Sequence, residues 1–234
     1  MNTLSRFTFG DMLLLYVTDD VGRVGMQLIP AAREGDVLEK AWALEPLVQL
    51  HARGDQLPNG YGNGQTLAAT PAAMRMALKN QQQTGDTIVT TLCDPEGRTV
   101  HHRVRWHEGV AALRVSTVFE NRTQTPVKLD LLSSVNLGWL TPFTDGAAHG
   151  AMRVHRMRSA WSAEGRLVTD TVERLHLERS WTGHALRVEK FGQVGSMPVR
   201  GWFPFAAVED TCAGVCWAMQ LACPSSWQME LRRR

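Results

Sequence analysis

Along most of this chain apolar and polar residues alternate, the period of strands with one face buried and the other wet. Val104 and Trp106 alternate with Arg103 and Arg105. Leu113, Val115, Thr117 and Phe119 carry the same rhythm, as do Val127, Leu129 and Leu131 against Lys128 and Asp130. Val172, Leu175 and Leu177, and later Leu186 and Val188, repeat it with slippage. Turn-forming residues separate these runs: Asp94-Pro95-Glu96-Gly97, Glu108-Gly109, Glu120-Asn121-Arg122-Thr123 and Ala163-Glu164-Gly165. The pattern predicts an all-β fold of antiparallel hairpins packed as a sandwich. One stretch competes. Residues 71–79 (PAAMRMALK) follow Thr70, a good N-cap, and place Pro at the first position, so they predict a short helix or a strand. Residues 54–64 (GDQLPNGYGNG) have no periodicity and predict a loop.

With 234 residues, 44% of them apolar, the chain can bury a substantial core, and we expect a single β domain spanning 1–234 with no internal boundary. The net charge of +2 argues against dedicated nucleic-acid binding, which draws its affinity from a basic stripe. The local basic runs, Arg153, His155, Arg156 and Arg158 and then Arg232 to Arg234, read as a solvated strand face and a frayed tail. The four cysteines, Cys93, Cys212, Cys216 and Cys223, lack zinc-site spacing, and three sit among apolar residues, so buried structural thiols are expected and no metal. The opening residues lack a secretory pattern and no apolar run is long enough to span a membrane. A soluble protein of a reducing cytoplasm is the expectation.

Chemistry is harder to place. Eight Trp against two Tyr raises a carbohydrate reading, since indole faces stack on the C–H surfaces of pyranose rings. Trp42, Trp106, Trp139, Trp181 and Trp217 lie in apolar strand contexts and read equally as core, whereas Trp161 and Trp227 have Ser neighbours near turns and read as rim residues. Glycoside hydrolysis needs two carboxyl groups about 5–9 Å apart. The adjacent pairs Asp19-Asp20 and Glu209-Asp210 would point to opposite strand faces, and Glu164, Glu178 and Glu189 read as surface charges. No carboxyl pair, nucleophile elbow, phosphate loop or zinc-protease helix is nominated. His101-His102 straddles a strand, so one ring faces solvent and the other the interior.

Several ordered segments, covering most of the chain, resemble the amino-terminal domain of microbial α-galactosidases of glycoside hydrolase family 36. Gly54-Asp55 through Tyr61-Gly62-Asn63-Gly64-Gln65-Thr66-Leu67 looks like that family's Gly-Asp…Gly-x-Thr segment. Val115 to Asn121 resembles its strand ending in Phe-x-Asn, and Ser133-Ser134 with Asn136-Leu137 the strand after it. Trp161-Ser162-Ala163-Glu164-Gly165 resembles its Trp-x-x-Glu-Gly turn, and Cys216-Trp217-Ala218 and Ser225 to Glu230 its terminal strands.

The resemblance implies a β-supersandwich of galactose-mutarotase-like architecture that packs on a catalytic barrel and supports oligomer and sugar pocket. It implies Asp55 as a hydroxyl acceptor and Tyr61 as a stacking surface, joined by Trp161, for a galactoside; a turn-capping role for Asp55 stays open beside this. The family's catalytic aspartates belong to the barrel, beyond residue 234, so no catalytic residue, cofactor or hydrolysis is expected of this chain alone, while barrel docking and self-association are. Two alternatives stand beside this reading: a free-standing carbohydrate-binding module, and a sugar mutarotase or epimerase using a His with a carboxylate.

Overall fold

The computed structural model describes residues 2–39, 43–55, 69–144, 150–178, 187–195, 200–222 and 225–233. The fold is all-β, with fifteen strands among the described residues and every strand pairing antiparallel. The sequence reading set no internal boundary; the described residues pack as two compact units, those up to 55 with 69–140, and those from 141 to 233.

The first unit opens with a meander of β1 (Asn2–Phe9), β2 (Met12–Thr18) and β3 (Val24–Pro30). A second sheet runs β5 (Ala77–Thr84), β6 (Thr87–Cys93), β7 (Arg98–Trp106) and β8 (Leu113–Asn121) in sequence order. β4 (Leu50–Ala52) pairs with β9 (Leu129–Leu132). The alternation of the sequence becomes sidedness: Ile88, Thr90 and Leu92 of β6 and Val100, His102 and Val104 of β7 are buried, while their neighbours, Thr99 apart, are less so. The apolar ones pack with Leu14, Tyr16, Val24 and Met26 of the meander. Each such side chain contributes roughly 1.5–3 kcal/mol by leaving water. The ambiguous stretch resolves into both options. Thr70 Oγ1 accepts the Ala73 N–H (3.2 Å) and starts α1 (Pro71–Met74), which lasts one turn before the chain enters β5.

The second unit holds a sheet ordered β11 (Arg166–Thr171), β10 (Met152–Ser159), β13 (Gly201–Asp210), β14 (Val215–Gln220), and the pair β12 (Arg187–Gln193) with β15 (Trp227–Arg233). Phe191, Ala206, Trp227 and Met229 form an apolar cluster between them, with Phe191 edge-on to both Trp202 and Trp227.

Three expectations are corrected here. Val172 to Leu177 is a run of turns rather than a strand: Leu175 N donates to Thr171 O (3.2 Å) and Leu177 N to Val172 O (2.7 Å). The basic tail is not frayed, because β15 pairs with β12 as far as Arg187 opposite Arg233, and Arg232 is largely buried beside Glu230 (3.2 Å). Cys212 and Cys216 are exposed, since Cys212 lies within the tight turn between β13 and β14 and Cys216 on the outward face of β14 just after it, instead of in the core.

Gly192 of β12 sits opposite Gln228 of β15. A methyl group there would collide with the Trp227 carbonyl and come within 3.0 Å of the Gln228 Cα, both of them backbone that cannot rotate away. Gly192→Ala is therefore expected to destabilise the second unit by roughly 1–3 kcal/mol. A urea titration showing no shift of midpoint would mean that the strands part without cost.

Candidate functional site

The residues singled out in the sequence fall in separate places. Asp55 belongs to the first unit and Trp161 to the second, while Tyr61 lies outside the described residues.

Asp55 follows β4 in a turn that it closes from both sides. Its N–H donates to Ala52 O (3.1 Å), and its Oδ2 accepts the Ala52 N–H (3.1 Å). Its other oxygen lies 3.9 Å from Arg75 Nη2 and 3.9 Å from Arg98 Nη1. Arg98 in turn reaches Glu96 (2.7 Å) and the fully buried Asp94 (3.8 Å), and Arg75 reaches Glu96 (3.6 Å). Three carboxylates and two guanidinium groups thus compensate one another in part, with one negative charge in excess. Next to them is an open cavity of about 450 Å³ lined in part by Arg23, Arg75, Cys93 and Asp94.

Trp161 sits in the turn joining β10 to β11. Ala163 N donates to Ala160 O (2.9 Å), the Glu164 carboxylate accepts the Ser162 N–H (3.0 Å), and Gly165 takes the positive φ (70°) that leads into β11. The closure explains Glu164 by its side chain and Gly165 by its backbone conformation, while Ser162 and Ala163 contribute only their N–H groups. Trp161 itself is 85% exposed, against Trp217 and Trp227, which are buried. Trp227, expected at a rim, stacks edge-on against Phe191 in the second unit's core.

Beside the turn is a cavity of about 620 Å³ whose lining includes Arg158, Ser159, Ala160, Ala163, Arg166 and Gly201. Strand register explains the arginines. Arg158 lies directly opposite Arg166 on one neighbouring strand and opposite Trp202 on the other, so the three form one row on one face of the sheet. The Arg158 guanidinium stands 4.1 Å from the centre of the Trp202 ring, and that of Arg156 stands 4.6 Å from it. Sequence reading passes over Trp202 and Arg166 and takes Arg158 for part of a solvated strand face. The signal available was the turn: once Glu164 and Gly165 close it, the hairpin register sets Arg158 against Arg166.

Histidine and carboxylate do meet, as a mutarotase would need, but on strand faces. His155 Nε2 lies 3.0 Å from Glu209 and its Nδ1 2.9 Å from Thr169 Oγ1. His101 Nε2 lies 3.2 Å from Glu120 and its Nδ1 3.1 Å from Thr91 Oγ1. Arg122 first and then His101 hold the Glu120 carboxyl down, to about 2. Both nitrogens of each of these two rings are thus engaged, and a third pair, His51 with Asp130 (3.6 Å), joins β4 to β9. As the sequence predicted, Glu209 and Asp210 diverge: Asp210 is buried and caps its own turn, accepting the Cys212 N–H (3.0 Å) and Ala213 N–H (2.9 Å). Among the described residues no cluster of His, Cys, Asp and Glu could hold a metal ion, and no helix is long and apolar enough to cross a membrane.

No protein-family model matches this chain, and no curated protein matches it either.

Proposed function

We propose that this chain is a non-catalytic β domain of the α-galactosidase kind, which contacts galactosides and supports a catalytic barrel and the assembly of subunits. The observation that carries the reading is Trp161. It is the first residue of the Trp-x-x-Glu-Gly likeness, and the turn that the rest of the motif closes leaves its indole 85% exposed, while Ala160 and Ala163 of the same turn line a cavity. A large apolar ring held in water by a hydrogen-bonded turn, rather than folded into the core, is what stacking on a pyranose requires. The ordered likeness along the chain and the all-β antiparallel architecture support the family assignment. Free thiols at Cys93, Cys212 and Cys216 support a reducing cytoplasm as its location.

Calorimetric titration of the whole chain with galactose, melibiose and raffinose is expected to give weak saturable binding, with Kd of about 1 mM. Trp161→Ala is expected to abolish the heat while leaving the unfolding midpoint in place, because the ring packs on so little. A flat titration of the unaltered protein removes the sugar-contact reading. Hydrolysis of a chromogenic α-galactoside by the pure chain removes the non-catalytic one.

A further inference from the structure

We propose that the cavity beside the Trp161 turn binds a sugar through an anionic group, a carboxylate or a phosphate, held between Arg158 and Arg166. This deepens the sugar-contact reading and rests on it.

The argument starts from an electrostatic cost. Arg158 and Arg166 are directly opposite across β10 and β11, on the same face and both exposed. Like charges so placed repel and destabilise a sheet. Arg156, one position along the same face, is compensated by Asp170 and Glu189. Arg105 and Arg114 also oppose each other across β7 and β8, but Arg158 and Arg166 stand at the wall of a cavity. Arg158 and Arg166 have no carboxylate within ion-pair distance among the described residues, and the undescribed ones contain a single acidic side chain, Asp145. An unrelieved pair of positive charges at the wall of a cavity of about 620 Å³ is where an anion gains most.

The chemistry of the walls narrows the ligand. Guanidinium forks match the planar or tetrahedral oxygens of carboxylate and phosphate and bind them through paired hydrogen bonds. Arg158 is already held by its stacking on Trp202, so little side-chain freedom is lost when it takes an oxyanion. Ala160 and Ala163 bring apolar surface to the cavity from the turn that carries Trp161. A charged group at the arginines with a ring lying toward that turn describes a uronic acid or a sugar phosphate. A bare anion would leave the apolar wall unused.

Calorimetry on the whole chain with galactose, galacturonate, galactose 6-phosphate and inorganic phosphate separates the outcomes, with Arg166→Gln as the variant. Arg166 is exposed and opposes a like charge, so its loss leaves the fold as stable or slightly more so. The acidic sugars are expected to bind at least about tenfold more tightly than galactose, to weaken as salt is raised, and to lose about tenfold in Arg166→Gln. Whichever acidic sugar binds more tightly identifies carboxylate or phosphate as the group read. They should also raise the melting temperature of the native chain and not that of the variant. Equal affinity for galactose and the acidic sugars overturns this proposal and leaves the neutral-sugar reading standing. Inorganic phosphate binding as tightly as the sugar phosphate overturns it as a sugar site. No binding by any of the four overturns it together with the reading beneath it.

Discussion

Replacing Arg156 by Met is expected to destabilise the second unit by about 3 kcal/mol, the lower end of what breaking a buried ion pair costs. The Arg156 side chain is 5% exposed and holds two acids at once, Asp170 (2.9 Å) through one nitrogen and Glu189 through another. Its guanidinium also lies 5.2 Å from the centre of the Phe191 ring and 4.6 Å from that of Trp202. Methionine keeps most of the volume, so the loss reports charge and not a hole. What remains is a carboxylate in the interior at Asp170, relieved only in part by the exposed Arg174 (3.4 Å), and a half-buried one at Glu189. The partial exposure of Glu189 and the help from Arg174 place the effect at the lower end. Urea titration followed by tryptophan fluorescence measures it, and the loss should appear in the transition of the second unit if the two units unfold apart. Neutralising all three positions together, Arg156→Met with Asp170→Asn and Glu189→Gln, should recover much of the stability, because no charge is then left without a partner. A cost below about 1 kcal/mol for Arg156→Met alone would show that water already reaches the triad.

That triad also shows what the sequence could and could not yield. Arg153, His155, Arg156 and Arg158 looked alike as a basic run on a solvated strand face; the strand is there, but Arg156 is buried. Which of its arginines is buried depends on Asp170 and Glu189, which arrive on other strands, and local pattern carries no such information. The strands with a dry face were legible for the same reason that they are stable: β7 and β8 alternate because one side packs. β5, with the sequence ALKNQQQT, was hidden because its side chains are mostly exposed and its place comes from pairing with β6. The turn run 172–177 misled because its apolar residues are spaced like a strand, yet Val172 and Leu177 are buried by the backbone folding on itself. Trp227 misled through its Ser neighbours, whereas what decides its burial is Phe191 on the partner strand. Of the candidate site, the Trp161 turn was legible in full, since Glu164 and Gly165 act within a few residues. The arginine row was not, because it exists only once register is set.

Acidification should cost the first unit about 3 kcal/mol through His102 alone. The sequence placed one of the two adjacent histidines inside, and it is His102: the ring is fully buried, and neither nitrogen has a hydrogen-bond partner among the described residues. Burial penalises the charged ring and pushes its pKa down to about 4. In the unfolded chain the same ring titrates near its ordinary value of about 6.5. Above that pH both states hold it neutral and the contribution to stability is fully present. As pH falls below it, the unfolded chain takes up a proton that the folded chain refuses, so stability drops. The loss continues to about pH 4, where the folded protein is protonated as well and the difference levels off. Carboxylates titrate in the lower part of this window, so a variant must isolate the ring. His102→Leu is suited to this: the site offers the imidazole no hydrogen bond, and leucine is of similar size, so at pH 7 the exchange should cost less than about 1.5 kcal/mol. Its unfolding free energy should then fall less steeply than that of the unaltered chain, and the two curves should converge or cross by about pH 4.5. Parallel curves between pH 7 and pH 4.5, measured by urea titration in matched ionic strength, would show that the folded protein admits the proton as readily as the unfolded chain, and that His102 is not held neutral by its burial.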